Sequence, residues 1–141
     1  MEVQHTEDKG EVFLEVREKL TSVTVKEFSA AGVKFEFNYQ GDVTGRYNAR
    51  RMETVSATMK PDGTGEYETR KVDFTSDGDV VLINGKGSGR LESAAKARWE
   101  GEDIFKTASK KLAWLNTTKA RTVGTQDMVT GEASVKFYRK T

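Results

Sequence analysis

Cysteine is absent from the 141 residues, and histidine occurs once, as His5. Without thiols there is no disulfide, no thiolate metal site and no cysteine nucleophile, and a reducing compartment, the cytoplasm, is the expected setting. One histidine and no cysteine leave zinc without ligands, and a histidine-relayed serine triad cannot be assembled in the folded body. No metal and no cofactor are therefore expected. Proline also occurs once, as Pro61. No apolar run approaches the length of a membrane span, and the charged first thirty residues contain nothing like a signal peptide, so a soluble chain without membrane contact is expected. Long helical periodicity and low-complexity linkers are missing too, which points to one domain with little helix.

What is present is alternation. In "VKFEFNYQ", Val33, Phe35, Phe37 and Tyr39 fall on one side and Lys34, Glu36, Asn38 and Gln40 on the other, as a strand with one wet face requires. "QGDVTG" then reads as a turn into a segment that keeps its parity from Val43 to Met59. At roughly 3.3 Å per residue that segment would reach about 55 Å if straight, too long for a small domain, so it must curl as strands in a closed sheet do. "KPDGT" at 60–64 is a hairpin turn, with proline presetting φ and glycine taking the left-handed position. The returning "GEYETRKVDFT" changes apolar parity between Tyr67 and Val72, which suggests a bulge near Arg70 and Lys71. "VVLI" at 80–83 is apolar on both faces, and its outer side is expected to be covered by the N-terminal segment or a second subunit, with Val81 and Ile83 as the residues to test. "KLAWLN", "TKARTVGT" and "ASVKFYRK" supply further strands, with a helical turn expected at "TASKK", 107–111. The whole reads as a polar, flexible segment over 1–10 followed by one all-β domain over 11–141, a single closed antiparallel barrel of about eight strands.

Two charges interrupt the greasy face of the 43–59 segment. Arg51 and Glu53 share a side with Tyr47, Val55 and Ala57, and if that side is the interior an unpaired ion there would cost several kcal/mol. A bulge near Arg50 would reverse parity and put Arg51 in water, and for an inward pair two readings stay open. In one, the pair is an internal salt bridge that sets strand register. In the other, Arg51 offers a fixed cation to a ligand's anionic group, and Glu53 orients the ligand or acts as a general acid or base. Tyr39, Tyr47, Tyr67 and Trp99 lie on the same computed face and either pack as core or line an apolar chamber with a few polar tips.

Other motifs are weaker. "GKGSGR" at 85–90 lacks the helix that a phosphate loop needs, and its alternate glycines suit a strand with bulky neighbours packed across it. Asp73, Asp77 and Asp79 do not have calcium-loop spacing. The first 85 residues hold 11 Lys and Arg against 16 Asp and Glu, and the remainder 12 against 6. Lys106, Lys110, Lys111, Lys119 and Arg121 gather around Trp114, an arrangement that would suit single-stranded nucleic acid, but the near-neutral total weighs against that partner.

The segments "FEFNYQGDVTG", "METVSATMKPDG", "GKGSGR", "ARWEGEDIFKTASKKLAWLN" and "TGEASVKFY" resemble a group of uncharacterised prokaryotic proteins related to the allene oxide cyclase barrel, a calycin-like eight-stranded fold. The resemblance runs from about residue 12 to 140 and rests on glycine and turn positions. It implies a barrel with an internal cavity, often in an oligomer, and transfers no catalytic residue. Three functions are expected to compete: a barrel that holds a small apolar, possibly anionic ligand; an isomerase or cyclase of a lipid-derived substrate; and a non-catalytic oligomeric structural or interaction barrel.

Overall fold

The computed structural model describes residues 10–140. Eight antiparallel strands follow one another around a closed barrel: β1 Glu11–Ser29, β2 Gly32–Gly45, β3 Ala49–Met59, β4 Thr64–Thr75, β5 Val80–Ser93, β6 Lys96–Thr107, β7 Lys119–Asp127 and β8 Glu132–Arg139. Each strand pairs with its neighbours in sequence, and β8 closes on β1 from Glu11↔Arg139 to Lys19↔Glu132. This is the all-β closed antiparallel barrel expected from the alternation. Of the polar 1–10 segment, all but Gly10 lies outside the described residues, His5 included.

Several local expectations are corrected. The segment from Val43 to Met59 is two strands, because "QGDVTG" completes β2 and the chain turns at 46–48 instead, where Gly45 has φ 131°. Parity survives that turn, so Val43, Tyr47, Ala49, Arg51 and Glu53 all face inward and are buried. β4 carries no bulge: its pairing with β3 and β5 is unbroken, and Thr69, Lys71, Asp73 and Thr75 are buried while Phe74 is exposed. The apparent change of parity arose because charged residues occupy the inner face. "KLAWLN" is no strand but leads into a short 3-10 turn, Ala113–Thr117, just beyond the expected "TASKK". In β5, Val81 and Ile83 point inward and are almost fully buried, so the outward pair is Val80 and Leu82, each about half exposed. A cover supplied by the N-terminal segment would involve residues outside the described range.

The "KPDG" turn behaves as expected and sets the register of the hairpin that matters most. Gly63 has φ 87°, the Lys60 N–H donates to the Thr64 carbonyl at 2.7 Å, and Asp62 Oδ1 accepts from the Thr64 N–H and hydroxyl. Counting outward from this turn places Glu53 opposite Lys71 and Arg51 opposite Asp73.

One end of the lumen is solid. Phe13, Phe105 and Phe137 meet at centroid distances of 6.0–6.5 Å, and Leu112 and Leu115 from the 3-10 region plug the opening beside them. The other end is open. There β1 and β2 run past the rim as a hairpin: β1 loses β8 after Lys19, yet continues against β2 to Ser29↔Gly32. Val23, Val25 and Phe28 sit opposite Phe37, Phe35 and Val33 on this overhang and remain exposed. No helix among the described residues is long and apolar enough to cross a membrane.

Candidate functional site

Between the two ends lies a belt of buried charge. Arg51 is 1% exposed and grips Asp73, 0% exposed, through two hydrogen bonds: Nε donates to Oδ1 at 2.7 Å and Nη2 to Oδ2 at 2.9 Å. The Tyr47 hydroxyl donates to the same Oδ2 at 2.5 Å. One strand away, Lys71 Nζ donates to Asp103 Oδ2 and lies 3.9 Å from Glu53 Oε2. Phe137 forms the apolar side of the belt, with the Arg51 guanidinium 4.9 Å and the Lys71 ammonium 5.2 Å from its ring centroid. Burial opposes the guanidinium's charge, and Asp73 outweighs it, holding the Arg51 pKa above its ordinary value. Burial and then the Asp73 charge push the Tyr47 hydroxyl up, so it remains a neutral donor.

Glu18 joins this belt from β1 and is 6% exposed. Burial first, then the neighbouring Glu53 charge, push the Glu18 carboxyl well above its ordinary value, against the pull of Arg51 and Lys71. Burial also lifts Asp103 above its ordinary value, against the pull of Lys71.

Above the belt, toward the open end, is a chamber of about 130 Å³. Its floor contains Glu18, Glu53, Arg51, Lys71 and Thr69, and its walls contain Phe37, Tyr39, Val55, Ala57, Tyr67, Leu91, Trp99, Thr122, Gln126 and Val135. The Tyr39 hydroxyl donates to Gln126 Oε1 at 2.6 Å. Burial pushes the hydroxyls of Tyr39 and Tyr67 up, which keeps both uncharged.

The chamber stays open because its largest side chains lie flat on the wall. Gly85, Gly87 and Gly89 form the inner face of β5 at this level; a Cβ on Gly87 would stand 2.5 Å from the Tyr67 hydroxyl, and one on Gly85 2.1 Å from Asp103 Oδ1. A Cβ on Gly101 would likewise stand 2.3 Å from the Tyr67 hydroxyl, and one on Gly124 2.4 Å from the Trp99 indole. These are the glycines with bulky neighbours packed across that "GKGSGR" suggested.

Of the six residues singled out from sequence, Tyr39, Arg51, Glu53, Tyr67 and Trp99 line the chamber, and Tyr47 lies beneath it as a partner of Asp73. Arg51 and Glu53 face the same side, but Arg51 pairs with Asp73 instead of Glu53. Sequence reasoning passed over Glu18, Lys71, Asp73 and Asp103, because inner positions were sought among apolar residues. The usable signal was the "KPDG" turn, since register counted from it sets two opposite charges against Arg51 and Glu53.

A larger, shallow depression of about 1270 Å³ crosses the outer sheet, where Lys34, Glu66, Lys86, Glu102 and Arg121 mix both signs of charge. Of the basic residues grouped with Trp114, Lys111 pairs with Asp77 and Arg121 with Glu100, and the cations that face a Trp114 ring are Arg46 and Arg139, at 4.8 and 5.1 Å. Among the described residues no group of three His, Cys, Asp or Glu side chains is placed to hold a metal ion.

Fold and site together define an up-and-down eight-stranded barrel, sealed at one end, with a polar-floored chamber at the other. No protein-family model and no curated protein matches the chain. Among solved structures it is similar to a protein of unknown function from Clostridium acetobutylicum, with TM-score 0.82 and 16% identity over 93% of this chain and 98% of that one. A conserved protein of unknown function from Rhodopseudomonas palustris gives 0.80 and 14% over 93% and 96%. A beta-barrel like protein from Acinetobacter baumannii gives 0.77 and 19% over 93% and 94%. At these identities the likeness shows the shared fold.

Proposed function

We propose that the protein holds a small, largely apolar molecule in the open half of its barrel. The observation that carries this reading is the chamber itself, a void of about 130 Å³ with apolar walls and a polar floor. An apolar cavity of about 150 Å³ takes up a molecule the size of benzene, so the enclosed part of the ligand is of that order. The remainder of a longer molecule would pass out along the overhanging hairpin, whose Phe35, Val25 and Phe28 continue the apolar track. The allene oxide cyclase-like resemblance supports the same use of the lumen. It does not support an anionic end, because Arg51 is already matched by Asp73 and Lys71 by Asp103.

The test is displacement of a neutral fluorescent reporter, N-phenyl-1-naphthylamine, with Ala57→Trp as the filled-chamber variant. Reporter binding that is lost while the far-ultraviolet circular dichroism is kept supports the reading. Reporter binding that is unchanged in this variant refutes it.

A second reading, an isomerase or cyclase, is favoured by the buried Glu18, whose carboxyl burial and the neighbouring Glu53 charge bias toward its protonated form, as a general acid requires. Loss of turnover in Glu53→Gln with binding retained would establish it. The reading as an oligomeric interaction barrel rests on the outward apolar residues Met52, Phe74, Val80, Leu82 and Ile104, each about half exposed. Light scattering of a Val80→Lys, Leu82→Lys variant tests that one.

A further inference from the structure

The chamber floor is short of positive charge. Four carboxyl groups, Glu18, Glu53, Asp73 and Asp103, face only two cations there, and each cation has an aspartate of its own. Glu18 has no cation, and Glu53 only a share of Lys71, through Oε2 at 3.9 Å. Both are more than nine-tenths buried, both line the chamber, and each has an oxygen, Oε1, that meets no hydrogen-bond donor. Thr69 Oγ1, also buried and also on the floor, is a third oxygen without a partner. The one nitrogen in the same condition, Arg51 Nη1, belongs to a guanidinium that lies 4.9 Å from the Phe137 ring and already holds Asp73. Buried polar atoms are ordinarily satisfied, so three unmet acceptors around one void describe the group that is missing.

We infer that the chamber takes a ligand ending in a primary ammonium group, its three N–H donors directed to Glu18, Glu53 and Thr69 and its apolar tail toward the open end. The inference rests on the chamber reading above and adds the chemistry of the ligand's polar end. An ammonium supplies three donors and one positive charge, which is what the floor lacks, whereas a carboxylate would bring a fifth acid into it. A hydroxyl supplies one donor and no charge. The aromatic walls give the cation a favourable surround, with Tyr39 and Tyr67 beside the floor.

The experiment compares n-hexylamine, n-hexanol and sodium hexanoate as competitors of the neutral reporter at pH 7 and constant ionic strength, with isothermal titration of the best. Hexylamine is expected to compete at concentrations about tenfold below hexanol, with hexanoate weakest. Hexanoate equal to or better than hexylamine overturns the inference and leaves the chamber reading standing. Failure of all three, together with reporter binding unaffected by Ala57→Trp, overturns the chamber reading as well. Glu53→Gln and Glu18→Gln, which keep side-chain shape, are each expected to erase the preference for hexylamine over hexanol while hexanol still competes. A preference that survives both variants overturns the assignment of these carboxyls. Hexyltrimethylammonium carries the charge without N–H donors, so it is expected to bind about tenfold more weakly than hexylamine. Equal binding would remove the three-oxygen hydrogen bonding from the proposal.

Discussion

The same eight strands enclose a solid half and a hollow half, and the division falls within single strands. β5 enters the closed end with Val81 and Ile83 and leaves the open end with Gly85, Gly87 and Gly89; β6 changes from Phe105 to Asp103 and then Gly101. An eight-stranded barrel is just wide enough for side chains to fill it or for one small guest to enter. Here both outcomes occur in one molecule, and the difference lies in where the bulky rings are seated. At the closed end they meet on the axis, edge to face. At the open end Tyr67 and Trp99 are laid over glycines and leave the axis free. The charged belt is the boundary, and its ion pairs tie β3 to β4 and β4 to β6, across the strands that change character.

The strongest way to break this contrast is to strike the boundary. Asp73→Ala strips Arg51 and Tyr47 of their common acceptor and leaves a buried guanidinium uncompensated, which should cost about 3–5 kcal/mol in urea denaturation. A loss below about 1 kcal/mol would mean that water reaches Arg51, and the belt would then seal nothing. Next comes a matched pair of truncations. Leu115→Ala in the plug should cost about 2–5 kcal/mol, and Val55→Ala, beside a void and only half buried, about 1 kcal/mol or less. Similar losses at the two sites would show that the open half is packed like the closed one.

A smaller effect sharpens the comparison from the hollow side. Gly124→Ala places a Cβ where the Trp99 indole now lies, and the ring has only the chamber to move into. The expected result is about 1–3 kcal/mol of destabilisation together with loss of reporter binding, visible as a change in tryptophan fluorescence. The least of the four is a dependence on pH. The folded protein holds the Glu18 proton to higher pH than the unfolded chain does, so this contribution to stability is full below about pH 4.5 and is lost as pH rises through the raised value. Asp103, also raised, acts in the same direction. Between pH 5.5 and 8 the melting temperature should fall with rising pH, by at most about 1.4 kcal/mol of stability per unit for one group. Glu18→Gln should flatten that slope, and a variant with the wild-type slope would refute the assignment.

How far the molecule could be read in advance follows the same division. Alternation made the barrel legible, and it put Tyr39, Arg51, Glu53, Tyr67 and Trp99 on the inner face where they stand. It failed where the interior departs from the rule that inner means apolar. Lys71 and Asp73 read as outward residues, which turns Val72 inward and calls for a bulge near Arg70 and Lys71 that the unbroken β3–β4 pairing excludes. Val81 and Ile83 were confused with Val80 and Leu82 because a strand apolar on both faces carries no parity at all. Glu18 could not be found locally, since it reaches Glu53 across β2, over Gly41, and two hairpin registers have to be counted to bring them together. The long strand drawn from Val43 to Met59 failed for a different reason: a turn that preserves parity leaves no trace in an alternation pattern.

The column of glycines on β5 has a consequence for how this protein should be mutated. Those three residues have no side chain to remove, so a survey that trims each position to alanine would treat them as ordinary and score only a small addition. Yet their blankness is a mould: the phenol and the carboxylate from the strands on either side are cast against it, and enlarging any one of them would displace groups on those neighbouring strands. The shape of the vacancy in this barrel is thus written in part on residues that bring no side chain to it, and substitutions that add atoms will map it better than substitutions that take them away.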